Sequence, residues 1–164
     1  MILWFLRHGA SDPPESLPDE ARQLTDAGRH ELRAAGPLFV ALGVRPEVIL
    51  CSPRERAVET VRILQEAGLE GGLVVDARLA PGAEWGDLLG ALTDHPVAGR
   101  VMLVGHEPAL SRSAQRLTDA RDIRLGEGGL CCVEFDGLAE PGHGTLTLLL
   151  DPALYRITTI TERH

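Results

Sequence analysis

The chain has no lysine: all sixteen of its basic residues are arginine. A nucleotide-binding loop of the Walker type needs a lysine on the terminal phosphates, and Schiff-base catalysis needs a lysine amine, so both chemistries are excluded. Positive charge is short overall as well. A formal net charge of −8 leaves no general cationic surface of the kind that neutralises nucleic-acid phosphates, so any phosphate site must be local. Cysteine is sparse, and Cys51, Cys131 and Cys132 have no zinc-ligand spacing. The adjacent pair would point to opposite faces of a strand, as small core residues. No stretch approaches the ~20 apolar residues of a membrane span, and the opening run is too short for a signal peptide. These absences predict a cytoplasmic protein with no nucleic-acid or membrane partner and no metal or other cofactor.

What is present is enough for one domain over residues 1–164, since 44% of the 164 residues are apolar and a chain of this size builds a core without disulfides. An apolar run over residues 2–6 predicts a buried strand that stops at Arg7-His8-Gly9, followed by a Pro-rich loop through Pro18. Residues 26–42 keep Leu32, Ala35, Phe39 and Leu42 on one helical face, with Thr25 or Asp26 as the cap and Gly43 as the stop. Pro37 should kink or divide this helix. A second strand over 48–51 leads into a helix with Ser52 as N-cap, Pro53 in the first position and Glu55 completing a capping box. A strand over 73–75, a helix over 85–92, a strand over 101–104 and a helix opened by Pro108 continue the alternation. Residues 130–135 and 145–150, separated by a turn-rich segment, read as a hairpin. The expected fold class is α/β: a single three-layer domain with a mainly parallel central sheet, helices on both faces and a C-terminal hairpin.

Open α/β sheets bind ligands beyond the carboxyl ends of their parallel strands. There the first strand delivers Arg7 and His8, the second Ser52 and Arg56, and the fourth His106. Two imidazoles and two guanidiniums on one rim suit a phosphoryl group, whose transfer spreads negative charge over three equatorial oxygens. Arginine supplies bidentate forks for those oxygens, and a neutral imidazole can attack phosphorus without a metal.

Leu6-Arg7-His8-Gly9 resembles the Arg-His-Gly signature of the histidine phosphatase superfamily. Arg22-Gln23-Leu24-Thr25 with Gly28 resembles that family's Arg-x-Leu-Thr-x-x-Gly segment, and Ser52-Pro53, Arg56-Ala57 and Thr60 resemble its Ser-Pro-x-x-Arg-Ala-x-x-Thr segment. Gly105-His106-Glu107-Pro108 resembles its second-histidine motif. The order of these motifs, the chain length, and Gly128-Gly129 before a final hairpin are most similar to the short bacterial protein-phosphohistidine phosphatases of the SixA type. The resemblance implies a phosphoglycerate mutase-like fold, His8 as the phosphorylated nucleophile, and Arg7, Arg56 and His106 around the transferring group, with Arg22 closing over it. It also implies a phosphorylated protein, such as a phosphohistidine domain, or a small phosphate ester as partner; the chain is expected to act as a monomer.

An alkyl phosphate needs a positioned acid, worth typically ~10²–10⁴-fold, whereas the imidazole departing from phosphohistidine can already carry its proton. In the superfamily that acid precedes the second histidine, which makes Glu84 the candidate here, with Asp87 behind it. Glu84 equally suits the start of the following helix. A mutase and an inactive phosphate-binding domain stand as alternatives to the phosphatase. Arg54 reads as solvated, His30, His95, His143 and His164 as solvent-facing, and Ser52 as a helix cap first. Cys51 reads as core, since a cysteine phosphatase would place an arginine where Ala57 stands.

Overall fold

The computed structural model describes residues 1–155; His164, expected at the surface, lies outside them. Among the described residues six strands form one sheet: β1 (Ile2–Arg7), β2 (Val48–Cys51), β3 (Gly72–Val75), β4 (Arg100–Gly105), β5 (Leu130–Glu134) and β6 (Thr145–Leu150), in the order β3-β2-β4-β1-β5-β6. The first four are mutually parallel, and β5 and β6 add an antiparallel edge. The expected mainly parallel sheet with a C-terminal hairpin is therefore the one observed.

Strand alternation divides the core. Trp4 and Leu6 of β1 face the layer made by α1 (Asp26–Ala41) and α2 (Glu55–Glu66), against Leu32, Phe39, Val61 and Leu64. Leu3 and Phe5 face α3 (Trp85–Thr93) and α4 (Ala109–Thr118), against Leu88, Leu92, Leu110 and Leu117. Cys132 falls in the first cluster and Cys131 in the second, as adjacent strand residues must. Burial pushes the Cys51 thiol up to about 12, which suits an inert core group rather than a nucleophile.

Two local expectations need correction. Pro37 does not divide α1, which runs unbroken from Asp26 to Ala41. Pro37 and Arg33, whose carbonyl loses its donor, are both exposed, so water can satisfy that carbonyl. The α2 helix begins at Glu55, with Arg54 and not Ser52 at its cap. The Ser52 hydroxyl instead accepts the Arg54 N–H at 3.2 Å, forming a turn ahead of the helix. That geometry turns the Ser52 side chain toward the end of β4.

Candidate active site

The ends of β1, β2 and β4 lie side by side, and backbone hydrogen bonds to β4 fix the residues beyond β1 and β2. The His8 N–H donates to the Gly105 carbonyl at 3.2 Å, and the Ser52 N–H donates to Val104 at 2.9 Å. Gly128 donates to the His8 carbonyl at 2.8 Å, while its own carbonyl accepts the hydroxyl of buried Tyr155. Thr60, one turn into α2, accepts the Gly9 N–H at 3.0 Å and donates to the Arg56 carbonyl at 2.7 Å. Thus the loop after His8 and the helix that carries Arg56 are bolted together.

His8, Ser52, Arg56, Thr60 and His106 are all buried, Arg56 to 2% exposure. The His8 and His106 rings are 5.1 Å apart between centroids. His8 Nδ1 lies 2.8 Å from the Gly9 carbonyl. A carbonyl can only accept, so Nδ1 carries the proton and Nε2 keeps its lone pair. That lone pair receives the Arg56 Nε–H at 3.3 Å. The Nη2 of the same guanidinium donates to His106 Nδ1 at 3.3 Å, leaving His106 Nε2 to pair with the Ser52 hydroxyl at 2.7 Å.

Burial, helped by the charges of Arg56, Arg7 and Arg22 and opposed by the Gly9 carbonyl, pushes the His8 imidazole down to about 4. Burial, then His8 and Arg56, pushes His106 down to about 3. Both rings are therefore neutral at neutral pH.

Arg7 lies close enough for its charge to act on His8, and its Nη1 is held by the Leu125 carbonyl at 3.1 Å. Arg22 also acts on His8 through charge, but two of its nitrogens serve its own loop, donating to the Asp12 carbonyl at 2.7 Å and the Ser11 hydroxyl at 3.0 Å. Glu84 is exposed at the cap of α3, where its N–H donates to Asp87 at 2.9 Å. Among the described residues no hydrogen bond joins Glu84 or Asp87 to His8, Arg56 or His106. Arg54, read from sequence as solvated, instead pairs with Asp19 and Glu20.

Sequence reasoning missed Asp19. It sits in a short 3-10 turn, Asp19–Ala21, and its carboxylate accepts Arg56 Nη2 at 2.8 Å. The only outward signal was an acidic residue three positions before Arg22. Glu107 was missed as well; its half-buried carboxyl is pushed up by burial and accepts the Ser111 N–H. Among the described residues no group of three or more His, Cys, Asp or Glu side chains could hold a metal ion, and no helix is long and apolar enough to cross a membrane.

Residues 3–98 match the family model described as Histidine phosphatase superfamily (branch 1). An uncharacterized protein of Picosynechococcus sp. is 35% identical over 120 residues, covering 71% of this chain and 73% of that one. The protein histidine phosphatase SixA complexed with tungstate has a TM-score of 0.78 at 24% identity, over 94% of this chain and 99% of its own. The alpha-ribazole phosphatase of Shigella flexneri has a TM-score of 0.68 at 17% identity, over 93% of this chain and 97% of its own. At those identities the two structures share this chain's fold.

Proposed function

Because the chain belongs to the histidine phosphatase superfamily, we propose that it is a metal-independent phosphatase that works through a phosphohistidine at His8 and takes its phosphoryl group from phosphohistidine on a protein. The observation that carries this reading is the environment of His8 Nε2: a neutral nitrogen, its lone pair aimed at an arginine fork and faced by a second neutral imidazole.

In the first step Nε2 attacks phosphorus, the bond from phosphorus to the substrate nitrogen breaks, and the departing imidazole leaves with its own proton. In the second, water attacks the phosphorus carried by His8, one of its protons passes to a phosphoryl oxygen, the bond from phosphorus to Nε2 breaks, and orthophosphate and neutral His8 are released. The Arg56 N–H groups that point at His8 and His106 before substrate binds turn to the equatorial oxygens, with Arg7 adding charge beside them. Ser52 gives His106 a second tautomer. Its hydroxyl can accept from Nε2–H before substrate binds and donate to Nε2 afterwards, which frees a proton at Nδ1 for a phosphoryl oxygen.

Proton supply supports this choice of substrate class. Asp19 is the carboxylate hydrogen-bonded to this cluster, and burial, which would raise it, is outweighed by Arg56 and then Arg54, which hold it below the usual carboxylate range. It is an anion and no acid. A substrate whose leaving group brings its own proton suits such a site. An ester phosphatase would need Glu84 to reach the leaving oxygen, and the likeness to an alpha-ribazole phosphatase keeps that second reading in view.

The test compares a phosphohistidine-bearing protein with a panel of alkyl phosphates, using wild type and Glu84→Gln. The proposal expects preferential hydrolysis of the phosphoprotein, unaffected by the substitution or by chelators. Preferred alkyl phosphate turnover that falls ~10²-fold or more in Glu84→Gln would move the assignment to the ester class.

A further inference from the structure

Arg56 has two usable edges, and the structure gives them different partners. Its side edge, Nε and Nη2, faces His8 Nε2 and His106 Nδ1 at 3.3 Å each. Its end edge, Nη1 and Nη2, is clasped by a single residue: Nη1 donates to the Asp19 backbone carbonyl and Nη2 to Asp19 Oδ1, both at 2.8 Å. The second carboxylate oxygen of Asp19 pairs with Arg54 Nε at 2.8 Å. The Asp19 segment is itself anchored. Arg22 reaches Asp19 Oδ1 at 3.6 Å and ties back to Ser11 and Asp12, and Asp12 pairs with Gln23 through both its N–H and its side chain.

We infer that Asp19 is a positioning residue: it holds the end edge of Arg56 so that the side edge stays presented to a phosphoryl group on His8 Nε2. The inference rests on the phosphatase reading above. An unclasped arginine would have to be ordered in the transition state, and misplacing a reacting contact by about 1 Å can cost ~10²-fold in rate. The clasp lies on the edge away from the imidazoles, so the carboxylate need not leave for substrate to bind. Its negative charge also keeps three neighbouring guanidiniums, Arg22, Arg54 and Arg56, compatible at one spot.

The experiment measures kcat and KM for p-nitrophenyl phosphate, and inhibition by orthophosphate, in wild type, Asp19→Ala and Asp19→Asn, with thermal unfolding as the check on folding. Asp19→Ala is expected to lose ~10²-fold in kcat while KM and orthophosphate affinity hold or tighten, because a competing anion has gone. Asp19→Asn keeps an acceptor for Nη2 and should recover most of the loss. Should Asp19→Ala not fold, Asp19→Ser, too short to reach Nη2, carries the same expectation. Wild-type kcat in the folded variants, or a loss confined to KM, overturns the inference. A rise in kcat/KM overturns it too, by making the carboxylate a plug. A wild-type protein inert on this ester and on phosphohistidine would instead remove the phosphatase reading, and the inference with it.

Discussion

At the scale of single residues, the site depends on keeping two imidazoles neutral beside several arginines. Following the ring Cε1–H resonances of His8 and His106 by NMR should therefore show midpoints far below the ordinary value of 6.5, near 4 and 3. Midpoints near 6.5 would mean that the rings are wetter, or their neighbours less cationic, than the structure shows. Arg56→Lys should lose ~10³-fold or more in turnover, because an ammonium cannot span both the Asp19 clasp and the phosphoryl oxygens; near-wild-type turnover would take Arg56 out of the mechanism. His8, His106 and Arg56 were legible in the sequence because each follows, directly or within one turn of helix, a strand that could be read from its apolar run. Asp19 was not. It lies in a Pro-rich loop with no periodicity, and its partners are 35 and 37 residues away, at Arg54 and Arg56. Ser52 was read for the commonest local use of a serine before a helix, yet its hydroxyl reaches His106, 54 residues on.

At the scale of elements, the site is only as rigid as the junction between β1 and α1. Thr25 caps α1 by accepting the Gly28 N–H at 3.0 Å, and its own N–H donates to the Ala10 carbonyl at 2.9 Å. A Cβ at Gly28 would collide with that same carbonyl. Gly28→Ala should consequently cost about 1–3 kcal/mol in chemical unfolding, as overpacking does, and should lower turnover by displacing the segment after His8. An unchanged unfolding midpoint would show that this contact is slack. The helices and strands themselves were readable, because their faces repeat with the periods of helix and sheet. Their ends were less so: α2 starts two residues beyond the expected Pro53, where the Ser52–Arg54 turn takes over, and Pro37 stays inside α1 because its missing hydrogen bond faces water.

At the scale of the whole molecule, a chain with a net charge of −8 gathers four arginines, Arg7, Arg22, Arg54 and Arg56, around two buried histidines. That arrangement links stability to pH. Above 6.5 both histidines are neutral whether folded or not. Below it the unfolded chain takes up protons that the native state refuses until about 4 for His8 and about 3 for His106, so stability falls as pH falls through that window. Asp19, held low by Arg56, adds to the loss below the ordinary carboxylate range, whereas Glu107, pushed up by burial, works in the opposite direction. Denaturant unfolding at pH 7 and pH 4.5 should differ by on the order of a few kcal/mol; equal or greater stability at pH 4.5 would contradict the burial of neutral rings. The overall α/β order was legible from the alternation of elements, while the sheet's spatial order, with β4 between β2 and β1, is a tertiary choice that local patterns do not encode. Covalent transfer through His8 is tested most directly by quenching the protein during turnover and locating the phosphoryl group. Wild type should carry an acid-labile phosphoramidate on His8, absent from His8→Ala, which should not turn over. An acid-stable label, or one on a serine, aspartate or cysteine, would contradict it.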